Sequence, residues 1–199
     1  VSESPASRSA LLELRDEHAA MREGYTFLDE KCLLLAGGIL RELRRHAALW
    51  PRVRAARGAA DEALWAALGR HGLDGLATLP LAPVEPPHLV ETGERLMGVP
   101  LRALHAQVSP PALADPLQRS PESAACAMAF AALLPEAAAL AACEANLRRL
   151  LAEYRRTARR ARALDGVLLP ELDRAIGAMA GEIEGQEQED AITMRPRPR

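Results

Sequence analysis

Apolar residues recur at alternating steps of three and four from near the start of the chain: Leu11, Leu14, His18, Met21, Tyr25, Leu28, Cys32, Leu35, Ile39, Glu42, His46 and Leu49. Only His18, Glu42 and His46 break the apolar series. A register held that long marks a coiled-coil seam rather than the broader stripe of an ordinary amphipathic helix. The spacing predicts a first long helix over 9–72. Ser9 stands as its N-cap ahead of Ala10-Leu11-Leu12. Pro51 is expected to kink it, because proline removes a backbone donor and crowds the preceding turn. Apolar spacing resumes at Ala63, Leu64, Ala67 and Leu68, and His71-Gly72 provides a stop.

A second long helix is predicted over 122–190, opening at Pro121-Glu122 and bending at Pro135. Its stripe reads Leu140, Cys143, Leu147, Leu150, Tyr154, Thr157, Ala161, Leu164, Leu168, and then Leu172, Ile176, Met179 and Ile183. The consecutive steps of four after Leu164 form a stutter, which locally unwinds a left-handed supercoil. Pro170 falls there, so a second bend is expected. At the rise of an α-helix each segment spans about 70 to 100 Å. No globular domain of this chain length needs such reach.

Between the helices, 73–121 concentrates proline and glycine. It reads as a loop and end region carrying a small β-hairpin, with Leu101 to Val108 the most strand-like piece. Residues 1–8 form a polar N-terminal tail and 191–199 a disordered Arg/Pro tail. The expected fold is all-α: a long antiparallel two-helix coiled-coil hairpin with a short Pro/Gly-rich loop region at one end.

Composition agrees with close helix packing, since the chain is 49% hydrophobic but only 3% aromatic. Such a core uses Ala and Leu rather than the β-branched and aromatic residues of sheets. A formal net charge of −2 argues against nucleic-acid binding. The cysteines, Cys32, Cys126 and Cys143, are widely spaced and read as buried free thiols in a reducing compartment. The polar opening VSESPASRS lacks the apolar run of a secretory signal. Ala124 to Cys143 is the stretch nearest to a membrane span, but Pro135 and Glu136 interrupt it, and no direct span is expected.

Catalytic chemistry finds no support. A phosphate-holding loop needs a glycine-rich turn ending in Gly-Lys-Ser/Thr, and the sole lysine, Lys31, lies in DEKCLLL. His18, His46, His71, His88 and His105 lack metal-ligand spacing. His18 and His46, at seam positions, read as partly buried histidines each satisfied by a neighbour. No catalytic residue, cofactor or metal is therefore expected. The strongest charge feature is a broad basic face, Arg148, Arg149, Arg155, Arg156, Arg159, Arg160 and Arg162, opposed within it only by Glu153. It suits either a solvated helix face or contact with acidic surfaces of surrounding proteins. The acidic stretch Glu182, Glu184, Glu187, Glu189, Asp190 reads as a frayed, solvated helix end.

Three pieces of sequence resemble the D subunit family of V-type and archaeal-type ATPases. SPASRSALLELR with REGYTFLDEKCLLL is similar to the family's opening, through Pro5, Arg8, Leu11, Leu12, Gly24, Leu28 and Lys31. Ser7 stands where the family has Thr, and Cys32 where it has Arg. TARRARALDGVLLPEL resembles its C-terminal motif through Thr157, Arg159, Arg160, Ala163, Leu164 and Pro170, with Arg162 for Asn and Asp165 for Glu. ERLMGVPL carries its Met-Gly-Val element at Met97, Gly98 and Val99. The tail departs from the family pattern, being acidic and then Arg/Pro-rich, as in a divergent, bacterial-like member.

The resemblance implies a non-catalytic rotor shaft that transmits torque between ATP chemistry and ion movement. Its partners would be the hexameric ring of catalytic and regulatory ATPase subunits, a small central-stalk subunit and the adaptor of the membrane ring. Shaft contacts would fall on Arg8, Lys31, Arg155, Thr157, Arg159, Arg160, Arg162, Leu164, Asp165 and Pro170, and loop-end contacts on Met97, Gly98 and Val99. A cytoplasmic place, peripheral to the membrane, is implied. The competing reading is a free-standing helical-hairpin scaffold, which has no reason to contain TARRARAL and Met-Gly-Val together.

Overall fold

The computed structural model describes residues 7–78, 87–109 and 120–193. Pro5, most of the expected N-terminal tail, the ends of the Pro-rich region and 194–199 lie outside the described residues. The described chain is mainly helical: α1 (Arg8–Thr78), β1 (His88–Leu96), β2 (Val99–Gln107), α2 (Pro121–Ala163), a π-helical turn (Leu164–Leu168) and α3 (Leu169–Thr193). It divides into two compact units, Leu34–Glu153 and Val1–Leu33 with Tyr154–Arg199.

Both long helices begin on serine. At α1 the cap is Ser7, two residues before the expected Ser9: its Oγ accepts from the Ala10 N–H at 3.2 Å and its carbonyl from Leu11 N–H at 3.0 Å. Ser9 instead lies in the first turn with its hydroxyl 3.0 Å from that of Ser7. Ser120 caps α2, accepting from the Ser123 N–H at 3.4 Å, with Pro121 in the first helical position where its missing N–H costs nothing. The α1 backbone stays helical through Pro51 and breaks at Gly72, where φ is 69° and ψ is 173°. That is the predicted stop, but Leu73–Thr78 resumes a helical turn beyond it.

In the Leu34–Glu153 unit, the two helices close over Leu35, Leu49, Leu140, Cys143 and Leu150, all buried. Val53, Ala139 and Leu147 pack around the Leu49–Leu140–Cys143 cluster. Cross-helix polar pairs fix the direction: Arg52 donates to Glu136 at 2.5 Å, and His46 Nε2 lies 3.7 Å from Glu144. Rising residue numbers on α1 meet falling numbers on α2, so the pair is antiparallel. Pro135 sits within α2. One window of the helical stretch Pro121–Thr193, 17% of it buried, is long and apolar enough by composition to cross a membrane; Leu140 and Cys143 of this helix belong to the core with Leu49 of α1.

The hairpin confirms the small β element. β1 and β2 are antiparallel, with Leu96 opposite Val99 and His88 opposite Gln107. Met97 (φ 48°) and Gly98 (φ 86°) both occupy the left-handed region, the backbone of a two-residue type I′ turn that matches strand twist. The Met-Gly-Val element is thus the turn and first rung of the hairpin.

In the other unit, the start of α1 runs antiparallel to the end of α2 and to α3. Arg8 pairs with Glu187, and His18 Nε2 lies 3.2 Å from Asp173 Oδ1. Leu11, Leu14, Met21, Tyr25 and Leu28 are half-buried, as predicted for a seam. Thr157 and Ala161 are buried. After Leu164 the expected stripe fails by one residue: Leu168 is 39% exposed, while Leu169 is half-buried. The π turn is the cause. Leu169 N–H reaches back five residues to the Leu164 carbonyl, which inserts one extra residue into the helix. Leu169, Leu172, Ile176, Met179 and Ile183 then return to the Leu164 side. The stutter coincides with this bulge in the helix.

Candidate interaction site

The most developed polar arrangement anchors the hairpin to the helices. Asn146, 1% exposed, receives the Arg102 backbone N–H on Oδ1 at 2.9 Å and donates from Nδ2 to the Arg102 carbonyl at 3.0 Å. Its amide therefore replaces a third strand at that rung. Nδ2 also lies 3.3 Å from Glu42 Oε2, and Arg149 Nη2 donates to Oδ1 at 2.5 Å. Arg149 Nε donates to the Pro100 carbonyl at 2.9 Å. Pro100 fits because an outward-facing position on an edge strand needs no N–H. Arg102 turns its guanidinium to Glu91 across the hairpin, Nε to Oε1 3.0 Å.

Two more contacts tighten the anchor. The Cys143 thiol donates to the Glu42 carbonyl at 3.3 Å, and burial, reinforced by the Glu42 side chain beside it, pushes its pKa up to about 11. Gly38 lies against Leu96 and Leu150, so closely that a Cβ there would collide with the Leu96 side chain. Glu42 was legible as a polar interruption of the seam. Asn146 carried a weaker signal: it is the only asparagine in the chain and shares the apolar stripe of α2 with Cys143, Leu147 and Leu150.

The family-motif residues scatter between surface and core. Arg155, Arg159, Arg160 and Arg162 are exposed on α2, and Asp165 is exposed in the π turn. Lys31, Leu164 and Pro170 are half-buried. Thr157 is 2% exposed and Val99 6%, so both side chains are committed to packing. Arg8 is exposed and held by Glu187 on α3. That pairing gives the acidic stretch at least one structural contact within a helix that continues to Thr193. Arg149 leaves the basic face to serve the hairpin, and Arg148 lies 3.6 Å from Glu144. Each seam histidine, His18 and His46, meets a carboxylate; His46 also stacks on Trp50 with ring centroids 6.0 Å apart.

A second apolar stripe, unforeseen from the sequence, runs one position beyond the α1 seam. Leu40 (56% exposed), Leu43 (48%) and Trp50 (53%) continue the three–four spacing with Ala36 and Ala47. It has the periodicity of a seam and no helix upon it among the described residues. Among those residues, no group of three or more His, Cys, Asp or Glu side chains could hold a metal ion.

The profile of the family of ATP synthase D subunits matches residues 10–195. The chain is 30% identical over 213 residues to the V-type ATP synthase D subunit of Anaeromyxobacter dehalogenans strain 2CP-C, covering all of both chains. A second relative, the V-type ATP synthase D subunit of Anaeromyxobacter sp. strain Fw109-5, is 30% identical over 199 residues, covering 96% of this chain and 91% of the other.

Proposed function

Because the chain belongs to the ATP synthase D subunit family, we propose that it is the non-catalytic central-stalk component of a V/A-type rotary ATPase, transmitting torque between ATP turnover in the catalytic ring and ion movement in the membrane ring. The observation that carries this reading is the helical pairing itself. In each unit α1 runs antiparallel to the C-terminal helical half, closed by seam residues and cross-helix polar pairs such as Arg52–Glu136 and His18–Asp173. Distributed apolar contacts resist twisting without directional bonds, which suits a part that must turn under load.

The exposed Arg155, Arg159, Arg160 and Arg162 supply the surface toward the hexameric ring. Long-range charge attraction is weakly directional, so a shaft can pass successive acidic surfaces without locking to one. The open stripe of Leu40, Leu43, Ala47 and Trp50 takes an amphipathic helix of the small central-stalk partner, because three–four spacing is made to receive helix side chains. Met97 and Gly98 at the hairpin turn are the loop-end contact toward the membrane-ring adaptor. The chain works in the cytoplasm, peripheral to the membrane.

The test is reconstitution with the catalytic and regulatory subunits. The unmodified chain should assemble with the ring, and the Arg155→Gln, Arg159→Gln, Arg162→Gln triple variant should bind it more weakly, most visibly at low salt where charges are least screened. Equal affinity of both chains at every ionic strength would return the basic face to a solvated surface. Failure of the unmodified chain to assemble would overturn the stalk reading.

A further inference from the structure

The π turn occurs where the sequence offers two adjacent leucines for one seam place. Leu169 fills that place and Leu168 is turned outward. If the extra residue were carried one turn further along the helix, Leu168 would lie four residues from Leu164 in ordinary α geometry and take the place instead. Ile176, Met179 and Ile183 would keep their positions, since the helix would still contain one bulge before them.

We propose that Leu164–Leu168 is a movable register joint, in which the bulge shifts by one turn and Leu168 and Leu169 exchange in a single seam position. The exchange half-buries one leucine and uncovers another, so its hydrophobic term nearly cancels. Asp165, Gly166 and Val167 are exposed, and a Cβ at Gly166 would meet nothing within 4 Å, so turning these residues breaks no packing. Pro170 has no N–H, so no backbone bond is lost at that position in either arrangement. Moving the bulge rotates Asp165–Leu168 by about 100° around the helix axis, one residue's turn. Paired packing arrangements of this kind make a discrete switch rather than a continuous bend. The purpose assigned to it, presenting alternate faces of the shaft to the surrounding ring as it turns, rests on the stalk reading above.

Two measurements test the joint. The first uses the full chain with Cys32, Cys126 and Cys143 replaced by Ala, carrying Leu168→Cys or Leu169→Cys. Exchange predicts equal maleimide labelling rates for the two positions, whereas a fixed turn predicts that the half-buried position 169 lags the exposed position 168 by about threefold or more. A lag of that size overturns the joint.

The second removes Val167, which leaves Leu164, Leu169, Leu172, Ile176, Met179 and Ile183 in unbroken four–three spacing. This chain should remain folded with an undiminished melting temperature. Labelling of a cysteine at 169 in it should slow about threefold or more, and ATP turnover of the reconstituted complex should fall about fivefold, roughly 1 kcal/mol. Because the deletion preserves the facing of α3, a passive accommodation would leave turnover unchanged. Unchanged turnover, or failure of the deleted chain to fold, overturns the proposal. Failure of the unmodified chain to assemble would instead sink the stalk reading and leave the labelling result standing.

Discussion

Asn146 on α2 joins its side-chain amide to both backbone polar groups of Arg102 on β2, at 2.9 Å and 3.0 Å. A single buried residue thereby takes the place of a neighbouring strand. Substitution of Asn146 by Ala leaves an N–H and a carbonyl of Arg102 and an oxygen of Glu42 short of a partner. The expected cost is about 1–3 kcal/mol, read by urea denaturation, with the Arg102 amide exchanging faster with solvent. Unaltered exchange at Arg102 would show that the hairpin is held elsewhere.

Gly38 is the steric counterpart of this anchor. Gly38→Ala puts a methyl where the Leu96 δ-methyl now lies, so Leu96 must turn aside, and the gain of about 0.5–1 kcal/mol that alanine brings to a helix interior is lost. Adding Leu96→Ala should recover part of the loss, because the same space is then vacated. Additive effects of the two substitutions would refute the contact.

The turn predicts opposite signs at neighbouring residues. Gly98→Ala places a Cβ at φ 86° and should cost about 1–2 kcal/mol. Met97→Asn, at φ 48°, should instead stabilise by a few tenths of a kcal/mol up to about 1, since asparagine tolerates the left-handed region better than methionine. Thermal melting of both variants checks the pair.

Cys143 gives a pH dependence. Its folded pKa is raised from 9.0 to about 11 by burial and by the Glu42 side chain beside it. The proton is thus held more tightly in the folded chain than in the unfolded one. The stabilisation is fully present below about pH 9 and is lost as pH rises toward about 11. Cys143→Ala should flatten stability across that alkaline window, measured by denaturation midpoints from pH 8 to 11. An unchanged slope would refute the assignment.

The helices were legible because their signal is periodic and local. Every residue of the predicted α1 seam is buried or half-buried, including His18 and His46, whose carboxylate partners follow from satisfying a polar group at a packed position. The stutter after Leu164 was equally visible, but the spacing alone does not say whether a supercoil unwinds or one helix bulges. Leu168 and Leu169 are equally apolar, so the choice between them is made by backbone geometry. Asn146 escaped notice because its partner is 44 residues away, and a side chain bonding to backbone leaves no period to read. Arg149 was grouped with the basic face for the same reason: its carbonyl acceptor, Pro100, is supplied by a strand that returns from elsewhere in the chain.

Docking through Pro100 and Arg102 places the anchor close to the hairpin's turn, and the far rungs, His88 opposite Gln107, take no part in it. Strand length is thereby uncoupled from attachment. Residues gained or lost there in facing pairs preserve the alternation of sides and leave the turn where it is. The hairpin can accordingly be lengthened as an engineered handle, or can drift in size between relatives, without disturbing the helices that carry it.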